Sequence, residues 1–279
     1  MADTLDSALI VSGPIDLAEY DSRATTGFDG DKSDVADGLA TLAEELSKLQ
    51  ERLFAGGLTG TDAPRVLLVL QGMDTSGKGG IVRHVAGLVD PQGLKITSFK
   101  KPTPDELKHD FLWRIEKALP EAGMIGVFDR SHYEDVLIGR VRQLADAAEI
   151  ERRYGAINAF EKAFTDGGGV LIKCFLHITA DDQKERLQAR LDDPTKYWKY
   201  NPADLDERML WDDYQRAYAI ALERCSTETA PWHLVPSGRK WYRNWAVATL
   251  LTERLRALNL EWPAADFDVE TEKARLATL

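Results

Sequence analysis

A strand-like run, Arg65-Val66-Leu67-Leu68-Val69-Leu70-Gln71, leads straight into Gly72-Met73-Asp74-Thr75-Ser76-Gly77-Lys78-Gly79-Gly80, and a helical pattern follows from Ile81 to Val89. Strand, glycine-rich turn, lysine and helix in that order make a phosphate-binding P-loop, which belongs at the end of a parallel strand. Each part has a physical reason. Glycines let successive backbone N–H groups curl inward around an anion. The helix adds its own unpaired N–H groups and the positive end of its dipole. Lys78 supplies a full charge where a transferable phosphoryl group would lie. Gly72, Thr75, Ser76, Gly77, Gly79 and Gly80 are therefore the expected phosphate cradle. The alternative is a structural glycine turn with a snorkelling lysine. One position departs from the common pattern. Residue 79 is Gly where most P-loops carry the Ser or Thr that holds magnesium, so Asp74 inside the loop becomes the first candidate metal ligand.

Short apolar runs recur along the chain at Leu94–Phe99, Met124–Phe128, Val170–Ile178 and Trp232–Val235, separated by helical stretches. Such alternation predicts an α/β fold with a parallel five-stranded sheet between helices. Val35–Phe54 reads as a long amphipathic helix. Thr103-Pro104-Asp105-Glu106, Thr179-Ala180-Asp181-Asp182 and Asn201-Pro202-Ala203-Asp204 read as helix starts. We expect an acidic N-terminal arm over residues 1–35, either poorly ordered or wrapped around the fold. One phosphotransferase domain over 36–260 and an acidic tail over 261–279 should follow.

The net charge of −11 would count against a polyanion-handling protein if it were evenly spread. It is not. Residues 1–50 hold eleven acids and three bases, residues 260–279 hold five acids and two bases, and the stretch between is neutral. Within it, Lys78, Arg83, Lys95, Lys100 and Lys101 face a single acid, Asp90, and a second basic group runs from Lys184 to Lys199. Two such clusters beside a P-loop suggest an anion channel; a solvated surface is the other reading. Nucleic-acid binding is not expected, because no strand interleaves bases with aromatic residues. No charged leader precedes an apolar stretch, and no apolar run approaches the ~20 residues needed to span a bilayer. Cys174 and Cys225 lack metal or redox spacing. A cytoplasmic setting without membrane partners is the expectation.

Met124-Ile125-Gly126-Val127-Phe128-Asp129-Arg130 is an apolar strand ending in an acid. In P-loop folds such a strand end meets magnesium or the acceptor, so Asp129 reads as the partner of Asp74. Arg130 should point into the same crevice, where a guanidinium suits a phosphate chain. Ser131 and Glu134 have the spacing of a capping box, and ligand contact is equally open for them. His132 reads as a hydrogen-bonded structural residue. Residues 181–208 combine a basic helix, a proline-marked turn, an aromatic and lysine cluster and a second capped helix, which suggests a lid that excludes water. Arg186 and Arg190 share a helix face there, and either could stabilise transition-state charge. Lys196 and Trp198 of the cluster are expected at a nucleotide.

The stretches GMDTSGKGG (72–80), DFLWRIEKALP (110–120), FDRSHYEDVL (128–137), INAFEKAF (157–164), KCFLHI (173–178), DDPTKYWKYNPADLDER (192–208), WDDYQRAY (211–218) and RKWYRNWAVA (239–248) together resemble polyphosphate kinase family 2. The resemblance runs from about Leu39 to Leu258. It implies a thymidylate-kinase-like P-loop sheet with a helical lid and Mg2+ linked to Asp74 and Asp129. By the same resemblance Lys78, Arg130 and Arg190 bind phosphate, and Arg83, Lys100 and Lys101 belong to a polyphosphate channel. FDRSHYEDVL resembles the branch that phosphorylates nucleoside monophosphates, which places Glu134 and Asp135 near the acceptor nucleotide. Gly79 departs from members with Asp there and leaves metal number or affinity open.

The expected reaction is Mg2+-dependent, in-line phosphoryl transfer between polyphosphate and adenine nucleotides, AMP to ADP or ADP to ATP, with guanine acceptance open. The expected assembly is a homodimer or homotetramer. Two rival readings stand beside it: an ATP-dependent nucleoside monophosphate kinase, and a P-loop nucleotide-binding switch or assembly protein.

Overall fold

The computed structural model describes residues 4–60 and 63–279. Five parallel strands, β1 (Val66–Gln71), β2 (Leu94–Ser98), β3 (Ile125–Asp129), β4 (Val170–His177) and β5 (Trp232–Pro236), lie in the order β2-β3-β1-β4-β5. All five coincide, within two residues at each end, with the apolar runs of the sequence. Four are legible because they are buried on both faces and so almost continuously apolar; the edge strand β2, LKITS, is part exposed and shows only Leu94 and Ile96. In β1, Leu67 and Val69 face one core, while Val66, Leu68 and Leu70 face the other.

The helices are α1 (Leu5–Leu9), α2 (Val35–Leu58), α3 (Lys78–His84), α4 (Trp113–Ala118), α5 (Ile138–Val141), α6 (Ala147–Asp166), α7 (Ala180–Leu191), α8 (Ala203–Arg208), α9 (Trp211–Cys225), α10 (Lys240–Ala257) and α11 (Val269–Leu276). Helices α2, α3 and α10 cover one face of the sheet, and α6 and α9 cover the other. The chain passes from β3 across β1 to begin β4 on the far side, which opens a crevice at the carboxyl ends of the central strands. Leu70 of β1 sits in register with Asp129 of β3, so the P-loop and the acidic strand end emerge at the same level.

The first three residues of the acidic arm lie outside the described residues. Its remainder packs along the sheet edge. Val11 N–H donates to the Trp232 carbonyl at 2.8 Å, and Ile10 bridges His233 in antiparallel sense, which covers the edge of β5. Further on, Gly238 N–H donates to the Ser22 carbonyl at 2.7 Å, and Tyr242 Oη–H donates to the Thr26 carbonyl at 2.8 Å.

Two local expectations change. Helix α3 ends at His84 and passes into a 3-10 turn at Ala86–Leu88, so the helix expected to reach Val89 is shorter. The Thr103–Glu106 capping box does form, with Thr103 N–H donating to Glu106 Oε2 at 2.7 Å, yet only the 3-10 turn Glu106–Lys108 follows. A cap cannot sustain a helix with no apolar face to bury, and Leu107 in that turn is exposed.

Candidate active site

The P-loop between β1 and α3 has the tight backbone its glycines imply. Gly72 (φ 148°) and Gly77 (φ 116°) adopt conformations open to glycine, while Thr75 holds φ 67° with a β-branched side chain. A β-carbon at Gly72 would come within 2.7 Å of the Leu176 carbonyl oxygen. Thr75 Oγ1 and Ser76 Oγ are buried without a hydrogen-bond partner, and Lys78 Nζ turns back on the loop, donating to the carbonyls of Gly72 (2.7 Å) and Met73 (3.3 Å). Burial pulls the Lys78 ammonium below its usual range, against the attraction of Asp74.

Asp129 ends β3 beside this loop and accepts from Ser98 Oγ at 3.3 Å. Arg130 follows in a left-handed conformation (φ 64°), its N–H donating to the Leu70 carbonyl at 3.1 Å and its Nη2 to Asp74 Oδ1 at 3.0 Å. Burial works against the Arg130 charge, but Glu134 and Asp74 hold the guanidinium above its ordinary range. The loop and the acidic strand end are thus tied together through Asp74 and Arg130.

These groups open into a cleft of about 730 Å³ lined by Asp74, Thr75, Gly77, Lys78, Gly79, Gly80, Arg83, Lys100, Asp129, Arg130, Arg190 and Trp198. A smaller lobe of about 240 Å³ shares Asp74 and Arg130 and adds Gly72, Met73 and Glu134. Burial pushes the Glu134 carboxyl up, against Arg130 and Lys78. Glu134 therefore lines a lobe and closes no capping box: Ser131 Oγ accepts from Tyr133 N–H at 3.3 Å and from Gln71 Nε2 at 3.1 Å.

The lid is a pair of helices, α7 and α8, joined by the turn Pro194–Lys199. Its root is fixed to the loop, with Gln183 Nε2 donating to the Asp74 carbonyl at 3.1 Å. At its far end Arg190 Nη1 donates to the Lys199 carbonyl at 2.8 Å. Trp198 is 79% exposed over the cleft.

Four expected site residues lie elsewhere. Arg186 sits beneath the P-loop, donating to the carbonyls of Thr75 (2.8 Å) and Ser76 (3.1 Å). Asp135 faces Arg153 (3.3 Å) and Arg114 (3.9 Å). Lys196 pairs with Asp193 at 2.7 Å. Lys101 is exposed and does not line the cleft. Lys199, the end of the second basic group, lines the large lobe; the sequence reading missed His84 and Ser98 there, and Gln183, Asp204, Tyr214 and Tyr218 in the small one. His84 adjoins Arg83, already flagged, and Tyr214 and Tyr218 share a face of α9 at i, i+4 spacing. Attention to those neighbours would have found them.

On β4, Lys173 is fully buried and donates to Glu161 Oε2 (2.5 Å), Tyr133 Oη (2.9 Å) and the Cys225 carbonyl (2.6 Å). Glu161 Oε1 also accepts from Tyr133 Oη–H at 2.7 Å and meets His132 Nε2 at 3.1 Å. This network anchors the turn that carries Asp129 and Arg130. Replacing Lys173 with Met should cost about 3–5 kcal/mol by stranding the Glu161 charge, and the double change with Glu161→Leu should recover most of it. Chemical denaturation of the two variants checks this, and equal stability of the single and double variants would refute it.

A phosphate cradle, two acids and a row of bases in one cleft suit transfer of an already ionised group, which needs little proton chemistry. Fold and site together define a P-loop phosphotransferase. The family model described as polyphosphate kinase 2 (PPK2) matches residues 29–262, and the chain belongs to that family. It is 44% identical over 251 residues to the AMP/ADP-polyphosphate phosphotransferase of Meiothermus ruber, covering 90% of this chain and 92% of that protein. It is 38% identical over 261 residues to the ADP-polyphosphate phosphotransferase of Rhodopseudomonas palustris, covering 89% and 88%. The crystal structure of polyphosphate kinase 2 from Arthrobacter aurescens TC1 superposes with a TM-score of 0.96 at 54% identity, covering 100% of this chain and 98% of that one.

Proposed function

We propose that this protein transfers phosphoryl groups between inorganic polyphosphate and adenine nucleotides, converting AMP to ADP and ADP to ATP. The observation that carries the reading is the shape and charge of the cleft. Beyond Lys78 and Arg130 it continues past Arg83, Lys100, Arg190 and Lys199, more bases than one triphosphate requires. The smaller lobe, entered across Asp74 and Arg130, would take the phosphate end of the acceptor, with Glu134 beside it.

In this reading an acceptor phosphate oxygen attacks the terminal phosphorus as its bond to the bridging oxygen breaks, leaving a chain one unit shorter. Repulsion between the two anions is the main obstacle. Lys78, Arg130 and Arg190 offset it by neutralising charge and fixing attacker and leaving group in line. Asp74 and Asp129 would hold Mg2+, which supplies further charge neutralisation when bound. Their donor set fits that ion: both are hard carboxylate oxygen donors, and both line the larger lobe of the cleft. Mg2+ usually takes one or two carboxylates and completes its shell with phosphate and water.

The proposed assembly is a homodimer or homotetramer. The proposed setting is the cytoplasm, which the two buried free thiols suit, and no described helix is long and apolar enough to cross a membrane.

The test is to incubate pure protein with polyphosphate, Mg2+ and AMP, without ATP, and to resolve nucleotides by anion exchange. ADP and then ATP should accumulate. Conversion of ADP alone would restrict the acceptor to diphosphates. Turnover only after ATP is added would replace the reading with an ATP-dependent nucleotide kinase. The same assay with GMP settles guanine acceptance.

A further inference from the structure

The P-loop rests on two buried arginines from distant parts of the chain. Arg186, 9% exposed, donates from Nη1 to the carbonyls of Thr75 (2.8 Å) and Ser76 (3.1 Å), and from Nη2 to those of Ser237 and Gly238. Arg243, 4% exposed, donates from Nη1 to the Ser76 carbonyl at 3.2 Å and from Nε and Nη2 to Asn244 Oδ1. Every one of these acceptors is a neutral carbonyl or amide oxygen. The nearest acids, Asp182 and Glu185, act on Arg186 only through space, and Asp182 is itself taken up by Ser22 and Arg23. Two cations therefore lie side by side under the loop with no carboxylate in contact among the described residues. Burial, and then Arg186, pull the Arg243 guanidinium down to about 10.

Such an arrangement is costly in isolation, because each buried charge loses hydration and repels the other. The loop's geometry shows where the compensation lies. Both arginines grip the Ser76 carbonyl. In a planar trans peptide the Gly77 N–H then points the opposite way, toward the cleft. Ser76 N–H closes a turn on the Met73 carbonyl at 3.0 Å, whereas the N–H groups of Gly77, Lys78 and Gly79 find no acceptor among the described residues. Two of the loop's glycines exist partly to admit Arg243. A β-carbon at Gly77 would overlap its Nη1, and one at Gly80 would lie 2.5 Å from its Nη2.

We propose that Arg243, together with Arg186, is a positioning residue for phosphate binding. The pair holds the Ser76–Gly77 peptide with its N–H toward the cleft, and its charge is balanced by the phosphate chain bound on the loop's other face. The inference rests on the reading that the cleft takes polyphosphate.

Its test uses the full chain with Arg243→Met and Arg243→Lys, read by thermal melting with and without polyphosphate and by kinetics with each substrate varied. In phosphate-free buffer the Met variant should melt at or above the wild type, since an unpaired buried cation is removed. Its rise in Tm on adding polyphosphate should largely vanish. Its KM for polyphosphate should rise about tenfold and kcat should fall by roughly 10- to 100-fold, with the nucleotide KM little changed. Lys should restore part of the polyphosphate response. A Met variant with a wild-type Tm rise and wild-type kcat/KM overturns the proposal. So does one that merely melts lower while keeping both per folded molecule. Should Arg243→Met not fold, Arg186→Met carries the same readouts. A wild type indifferent to polyphosphate but stabilised by ATP would instead remove the polyphosphate reading of the cleft, and this inference with it.

Discussion

Lys78→Ala should lower kcat/KM by about 10³-fold, some 4 kcal/mol of transition-state stabilisation, while leaving the fold intact. The size follows from the position of the ammonium. Nζ is buried in the loop's concavity and satisfied by the Gly72 and Met73 carbonyls, which are weak substitutes for a phosphate oxygen. Among the described residues no carboxylate is within ion-pair distance of it, and Asp74, which attracts it through space, keeps its own partner Arg130, so loss of the ammonium strands no directly paired acid. Thermal melting in phosphate-free buffer should therefore be close to wild type. Steady-state rates with polyphosphate and ADP measure the loss, and a rate within tenfold of wild type would exclude Lys78 from transfer.

That prediction was available from the sequence, because a P-loop is a local device. Nine consecutive residues set the turn, the charge and the helix start, and nothing distant is needed to recognise them. Four of the strands were legible for a similar reason, since burial on both faces writes itself into each run independently. What the sequence could not show is what each face meets. Arg186 and Arg190 lie four residues apart on α7, and spacing alone put them on one side. The helix crosses the loop, so its middle turn reaches under the Thr75 and Ser76 carbonyls while its last turn overhangs the cleft.

The glycines carry the same lesson. Gly77, at φ 116°, has the freedom expected of a loop glycine and Gly80 lies inside α3, but the room that both leave depends on Arg243, which is remote in sequence. Lys173 and Glu161 were also invisible. A lysine in a strand and a glutamate in a helix look like surface residues until the sheet closes over both. Conversely, Asp135 beside Glu134 read as a ligand contact, although it is occupied by Arg114 and Arg153. Short-range pattern identified the chemistry; long-range packing decided which charged residues are free to perform it.

Asp129→Asn separates the proposed metal site from the rest of the cleft more cleanly than a change at Asp74. Asp74 also holds Arg130 at 3.0 Å, so Asp74→Asn would loosen an arginine as well as remove a carboxylate. Among the described residues the Asp129 carboxylate accepts a hydrogen bond only from Ser98 Oγ, at 3.3 Å, and an asparagine oxygen can keep it. The substitution therefore changes charge with little change of shape. Transfer should fall by about 10³-fold, the melting temperature in phosphate-free buffer should stay near wild type, and the Mg2+ concentration for half-maximal rate should rise. In wild type, excess chelator should stop the reaction and added Mg2+ should restore it. Turnover indifferent to chelator would remove the metal from the reaction. Turnover that needs Mg2+ while Asp129→Asn works at the wild-type rate would move the ion to Asp74 and the phosphates alone. With Gly79 offering no side-chain oxygen, that second outcome leaves a single carboxylate ligand, too few to fix the metal before substrate binds, and metal and phosphate would then have to enter together.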